Sequence, residues 1–490
     1  MSGTPNDIYS VASVREIDRI AIEERGTPGY ELMTRAAMVA ADVAVHRFGN
    51  SSRCHVVCGS GNNAGDGYLV AAWLKQTIES VKVTAVSDPS NLSGDAKTAY
   101  EYWLSIEGSV EPFVGSLENA DYFVDAILGS GIARPVSGDY ARAIDAMNQS
   151  GQPILALDLP SGLNGDTGDV MGVAVQADAT CTFVGRKAGS YLGQGPDACG
   201  DILLANLQVP DEVFATQKPV MRSADIDEMD ALLPPRRRSA HKGDFGHVLV
   251  VGGGPGMAGA ARLCGEAALR TGAGRVSVAT HPDNALAMLE ACPELMVTGV
   301  ASTEELVKML SGKDVIAFGP GLGTDTWAEA MFAGINGRAL PMVWDADALN
   351  LLANSPTSMP NRIITPHPGE AGALLESSAG EVQSDRLHAL KALNSRYGGV
   401  SVLKGAGTLI TEAASPPWIC LQGNPGMATA GMGDVLTGTI AALLAQGLDL
   451  ESAARLGVCL HAQAADSAAE EGERGLIASD VIAELRKWAD

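Results

Sequence analysis

The stretch GNPGMATAGMGDVLTG, Gly423–Gly438, places a carboxylate, Asp434, in a glycine-rich turn directly before an apolar run, Val435–Gly447. Free backbone N–H groups at a helix start form an anion site. Glycines let that backbone approach a phosphate closely. An acid beside a transferred phosphoryl group can take the proton of a substrate hydroxyl. The alternative is a glycine-rich loop that Asp434 merely caps. Three further loops in the same half weigh toward phosphate chemistry: GPGLG (Gly319–Gly323), TPHPGE (Thr365–Glu370) and KGAGT (Lys404–Thr408). Lys404 follows a strand-like run and opens a glycine turn, where an ammonium can meet phosphate. His367, between two prolines at a strand end, is a candidate substrate contact, and His241 and Lys242 are candidates for holding phosphate. Asp345 and Asp347 in DADALNLL read equally as metal ligands or as a strand-end group and a helix cap.

The first half carries a different set. GSGNNAGDG, Gly59–Gly67, follows the strand-like CHVVC. It is neither a Walker A loop, since GK[ST] is missing, nor a G-x-G-x-x-G fingerprint. Its Asn-Asn pair offers amide groups in a tight turn, which asparagine tolerates. Two later strand ends bring VDAILGSG with Asp125, and LDLPSGLNGDTG with Asp158 and Ser161. If these strands are neighbours, Asn63, Asp125 and Ser161 supply oxygen alone to one hard cation. A single carboxylate with neutral partners suits a monovalent ion better than Mg²⁺. Asp158, at the end of an apolar strand, is placed to have a raised pKa and to act as acid or base.

These residues need strands and helices to position them. A chain of 490 residues implies two or three domains. Strand-like runs alternate with helical ones in both halves, which predicts α/β domains with parallel sheets and sites at the carboxyl ends of strands. Helices are expected at Ser13–Arg25 and Thr34–Arg47, and the second half begins its first strand at His247. A proline- and charge-rich stretch marks a boundary near Lys218. The Arg236–Arg238 cluster within that stretch reads as solvated surface or a phosphate contact. A net charge of −24 argues against a general nucleic-acid binder. No apolar run reaches about 18 residues and the N-terminus shows no signal-peptide core, so no membrane role is expected. The eight cysteines are scattered, as buried free thiols in a cytoplasmic protein would be.

The ordered motifs resemble one family along the chain from about Ser13. GNNAGDG, VDAILGSG and LDLPSGLNGDTG are similar to NAD(P)H-hydrate epimerase domains of YjeF N-terminal type. HKGDFGHVLVVGGGPGMAGAA, GPGLG, DADALNLL, TPHPGE, KGAGT and the Gly423–Gly438 stretch resemble ADP-dependent NAD(P)H-hydrate dehydratases of the ribokinase-like superfamily. The whole is similar to bifunctional NAD(P)H-hydrate repair enzymes. The resemblance implies an N-terminal Rossmann-like three-layer α/β domain over residues 1–217 and a C-terminal ribokinase-like α/β domain over residues 218–490. It implies that Asn62, Asn63, Ala64, Gly65 and Asp66, with Gly129, Ser130, Gly131, Ile132, Ala133, Arg134 and Pro135, line the epimerase site. Asp158 would contact substrate there as acid/base, and Asn63, Asp125 and Ser161 would bind one K⁺. Ala260, Gly321, His367 and Asp434 would contact the hydrate in the dehydratase, with Asp434 catalytic. Lys404, Gly405, Ala406, Gly407, Thr408 and Gly433 would hold the nucleotide. ADP is the implied co-substrate and Mg²⁺ the implied metal of that half. The implied partners are the small molecules themselves and further copies of the chain in a cytoplasmic homo-oligomer. Ala64 and Ala430 stand where the family usually has glycine, which would mean strain if either position needs a positive φ.

Overall fold

The computed structural model describes residues 6–50, 52–132, 134–224, 229–411 and 416–490. The chain forms two compact units, Met1–Arg222 and Ser223–Asp490. The division falls after Arg222 because Met221 and Arg222 pair antiparallel with Ile8 and Asp7 of the first unit. Arg222 Nε also donates to Asp7 Oδ1 at 3.0 Å. No helix among the described residues is long and apolar enough to cross a membrane.

The first unit is built on a seven-stranded sheet. Its order is Glu111–Pro112, Ser80–Ala85, Arg53–Cys58, Tyr122–Ala126, Ile154–Leu157, Ala179–Phe183 and Asp201–Ala205, and every neighbouring pair is parallel. The central strands are apolar at almost every position and buried, as strands covered on both faces must be. Chain order reverses between Arg53–Cys58 and Tyr122–Ala126, so the crevice for a ligand opens beyond their carboxyl ends. GNNAGDG and LGSG emerge there.

Several expected elements shift in place. The first helix starts at Val11, capped by Ser10, whose Oγ accepts from Ser13 N at 3.1 Å, and ends as an α-helix at Arg19 before a π-type turn, Ile20–Glu24. The second spans Gly29–Phe48. The expected tight turn at Asn62–Asp66 is instead the opening of a helix, Asn62–Leu74. None of these five residues has positive φ, so asparagine's tolerance of left-handed backbone is not what selects it here.

The second unit has parallel strands in the order Met296–Gly299, Arg275–Thr280, His247–Val251, Val315–Phe318, Met342–Trp344, Arg362–Ile364 and Val400–Leu403. Thr408–Thr411 and Trp418–Cys420 continue it antiparallel. The order reverses between His247–Val251 and Val315–Phe318. Helix Met432–Ala445, buried on nearly every side, packs across this sheet against helices Ala258–Arg270 and Leu450–Ala468. Its amino end points Gly433 and Asp434 at the strand ends.

Candidate active sites

In the first unit a cavity of about 950 Å³ opens at the carboxyl ends of the central strands, a size typical of small-molecule sites. Asn62, Asn63 and Asp66 line it from the helix start, Gly129 to Ile132, Arg134 and Pro135 from the facing loop, and Asp158 from the next strand end. Ala64 and Gly65 face away into the helix packing and are buried. Ala133 lies outside the described residues. Ala64 has no positive φ, and neither does Ala430, so alanine at these positions carries no backbone strain.

Behind the cavity wall Asp125 is fully buried. Its Oδ2 accepts from Ser161 N at 2.7 Å, and its Oδ1 from Ser161 Oγ at 2.6 Å and Ile127 N at 3.1 Å. Burial pushes its pKa up to about 6, while these donors pull the other way. Ser161 Oγ also accepts from Leu128 N at 2.7 Å. Asn63 reaches the same corner: its Cβ is 3.4 Å from where a Cβ on Gly129, the residue after Leu128, would stand. Both polar atoms of the Asn63 side chain are buried without a hydrogen-bond partner in the protein. A buried amide is costly to leave unsatisfied, so this oxygen is suited to a ligand the protein does not itself supply.

Asp158 follows its strand with φ +68, a strained conformation for a residue with a Cβ and one that clusters at functional sites. The buried Lys187 ammonium donates to Asp158 Oδ1, to Thr182 Oγ1 at 3.1 Å and to Phe183 O at 2.7 Å. Three more carboxyls line the cavity, Asp18, Asp66 and Asp95. Burial, then the charges of Asp158 and Asp18, push Asp66 well above the usual carboxylate range, with Lys187 opposing. Asp18 is raised to about 6, chiefly by burial, with Lys187 opposing and Asp158 reinforcing.

In the second unit the residues converge on the amino end of helix Met432–Ala445. Lys404 Nζ is 2.6 Å from Asp345 Oδ1 and 3.8 Å from Glu370 Oε2, and Thr437 Oγ1 donates to Asp345 Oδ2 at 2.9 Å. Burial alone would raise Asp345, but the Lys404 charge and the hydrogen bonds from Lys404 and Thr437 outweigh it and hold it low. A Cβ on Gly433 would stand 3.1 Å from Asp345 Oδ2 and 3.2 Å from Lys404 Nζ, so glycine keeps this helix start open. Asp434 is pushed up to about 7 by burial and then by the Asp345 charge, with Lys404 opposing and Asp347 and Glu370 adding to the rise. Asp347 is the first residue of helix Asp347–Asn354 rather than its cap, which is Ala346, and its Oδ2 accepts from Gly323 N at 2.8 Å, fixing the GPGLG turn.

The other loops gather around this centre. Gly321 has φ +55, and a Cβ there would come within 2.9 Å of the Ala260 Cβ, so the loop and helix Ala258–Arg270 touch only because Gly321 has none. The exposed His367 caps helix Pro368–Leu375, its Nδ1 accepting from Gly369 N at 3.0 Å and Glu370 N at 3.3 Å. Its Nε2 lies 3.5 Å from Glu370 Oε1. The Lys404–Thr408 turn is held from beneath by Arg386, which donates to the carbonyls of Leu403, Lys404 and Ala406. His241 and Lys242 are elsewhere. The Lys242 carbonyl abuts Gly274, which precedes strand Arg275–Thr280, so both residues lie at the amino edge of the sheet, opposite the glycine loops. Arg236, Arg237 and Arg238 are exposed, the solvated-surface alternative, and the Arg236 guanidinium also stacks on Phe245 at 3.7 Å and donates to Gly272 O and Gln446 Oε1.

A family model described as NAD(P)H-hydrate dehydratase matches residues 248–487, and one described as YjeF-related protein N-terminus matches residues 29–189. The bifunctional NAD(P)H-hydrate repair enzyme Nnr of Coxiella burnetii is 44% identical over 98% of this chain and 98% of its own. The chain belongs to the bifunctional NAD(P)H-hydrate repair enzymes. The Escherichia coli member is 41% identical over 99% of this chain and 94% of its own. A solved ribokinase-like superfamily protein from Enterococcus faecalis, 29% identical, covers 56% of this chain and 96% of its own with a TM-score of 0.51. In this family member, sequence reasoning passed over Lys187, Asp18 and Arg386. Lys187 sits in an Arg-Lys doublet, as a surface pair would, and nothing local marks that it turns inward to Asp158.

Proposed function

We propose that this chain repairs hydrated NADH and NADPH in two steps, one per unit. The first unit interconverts the R and S hydrates. The second phosphorylates the C6 hydroxyl of the S hydrate with ADP, giving AMP and a phosphate ester. Elimination of phosphate from that ester restores the dihydropyridine. Hydroxide is a poor leaving group and phosphate a good one, which explains a dehydratase on a kinase-like fold.

Asp434 carries this reading. It stands at a glycine-opened helix start next to Lys404, with a pKa near 7, where a general base for a hydroxyl is most effective. The helix N–H groups and the Lys404–Thr408 turn would stabilise the transferred charge, and Ala260, Gly321 and His367 would border the hydrate. Mg²⁺ would arrive with the nucleotide. No three His, Cys, Asp or Glu side chains among the described residues converge as a metal site, which suits an ion held by one or two carboxylates plus phosphates. When bound it neutralises charge on the phosphoryl group. In the first unit the unpartnered Asn63 amide beside the buried Asp125–Ser161 pair fits K⁺, whose charge would favour the ionised Asp125 and steady the Gly129–Pro135 loop. Asp158 would meet the hydrate as acid/base.

The test is a pair of variants of the full chain. Asp434→Asn should bind nucleotide normally, lose dehydration by roughly 10²-fold or more, and still interconvert the epimers. Asp125→Ala should dehydrate the S hydrate normally and lose K⁺-stimulated epimerisation. Near-normal dehydration by Asp434→Asn, or a stable phosphate ester as end product, contradicts the reading.

A further inference from the structure

The epimerase cavity is lined by four carboxyls, Asp18, Asp66, Asp95 and Asp158, and has one ammonium buried in its wall, Lys187. An ammonium has three donor hydrogens, and Lys187 directs its Nζ at three acceptors, Asp158 Oδ1, Thr182 Oγ1 and Phe183 O. It has none left for a substrate. Its effect is to pin one oxygen of Asp158. The other oxygen, Oδ2, accepts no hydrogen bond among the described residues and lies 4.0 Å from where a Cβ on Gly129 would stand, on the cavity side. Asp66 differs in kind. It lines the cavity with no ion pair or hydrogen bond among the described residues, and burial with no paired cation pushes it well above the usual carboxylate range. It lies three residues after Asn63 in the same helix, so the two share a face, and Asn63 is the residue turned to Gly129. The arrangement sets one carboxyl pinned by an ammonium and one unpaired carboxyl on the same cavity, the pattern of an acid/base pair.

We propose that Asp66 is the catalytic acid of the epimerase unit, working with Asp158 as base, and that Lys187 is the positioning residue that fixes Asp158. This rests on reading the first unit as an epimerase. Asp66 gives its proton to the C6 hydroxyl oxygen as the C6–O bond breaks. The bonding pair leaves with that oxygen as water, and the ring nitrogen's lone pair forms a C=N bond to C6. A water then bonds to C6 on the opposite face, the nitrogen recovers its pair, and Asp158 takes the proton from the incoming oxygen. Return of that proton from Asp158 to Asp66 completes the cycle with no oxidant or reductant.

The experiment follows interconversion of the pure R hydrate by the full chain without nucleotide, so that only the first unit turns over. Asp66→Asn should lower kcat about 10²-fold or more with KM changed less than about threefold. Lys187→Met should lower kcat with a similarly small change in KM, because the site persists while the base is no longer held. Asp18→Asn should fall less than Asp66→Asn. Each inversion in ¹⁸O-labelled water should place one solvent oxygen on C6. Failure of the wild-type chain to interconvert the epimers would remove the epimerase reading itself. With the wild type active, the proposal alone is overturned by any of four results: kcat within about threefold for Asp66→Asn, loss carried by KM in both variants, a larger loss in Asp18→Asn, or inversion without solvent oxygen.

Discussion

At the scale of single residues, what separates the two sites is how each carboxyl's charge is compensated. Asp345 has the Lys404 ammonium at 2.6 Å and is held low, while Asp434 nearby is raised to about 7 by burial and by Asp345 itself. A general base works only when deprotonated, so dehydration should fall as pH drops through about 7. Asp345→Asn removes a like charge and frees Lys404 to act on Asp434. Both effects favour the ionised form, so the acid limb of kcat should move to lower pH. A pH–rate profile of the two proteins checks this, and a limb that stays put in the variant would disconnect Asp434 from the limb. In the first unit Lys187 pairs with Asp158, while Asp66, with no ion-pair partner among the described residues, is pushed well above the usual carboxylate range by burial.

At the scale of elements, the parallel strands and the loops at their carboxyl ends were legible because glycine motifs and apolar runs mark them locally. Asn62, Asn63, Asp66 and most of Gly129–Pro135 do meet around one cavity. What was not legible depended on orientation. The helix of Asn62–Leu74 begins a turn earlier than its apolar run suggests, because the Asn-Asn-Ala-Gly-Asp segment is itself helical. His241 and Lys242 sit near a glycine loop in sequence yet at the wrong end of the strand. Lys187 and Arg386 turn inward from unremarkable sequence. Ala64 offers a test at this scale. Its methyl is fully buried in a helix interior, whereas at Gly65 a Cβ would stand 2.8 Å from Met33 Sδ. Restoring the family's usual glycine, Ala64→Gly, should therefore cost about 1–2 kcal/mol of stability without raising epimerisation. Thermal melts with parallel rate measurements decide it, and a faster enzyme of unchanged stability would show that alanine there is a handicap.

At the scale of the whole molecule, each unit has its own run of parallel strands, its own hydrophobic core and its own reversal of strand order. The chemistry gives a reason to join them in one chain: a dehydratase that accepts one epimer repairs the whole pool only if something supplies that epimer from the other. The most direct measurement starts from the pure R hydrate and the intact chain. Without ADP, the account predicts a mixture of R and S hydrates with no gain in reduced-nicotinamide absorbance. On adding ADP, both epimers should disappear as reduced nicotinamide and AMP accumulate in equal amounts. Reduced nicotinamide formed without any nucleotide, or an R hydrate that stays untouched in both conditions, would contradict it.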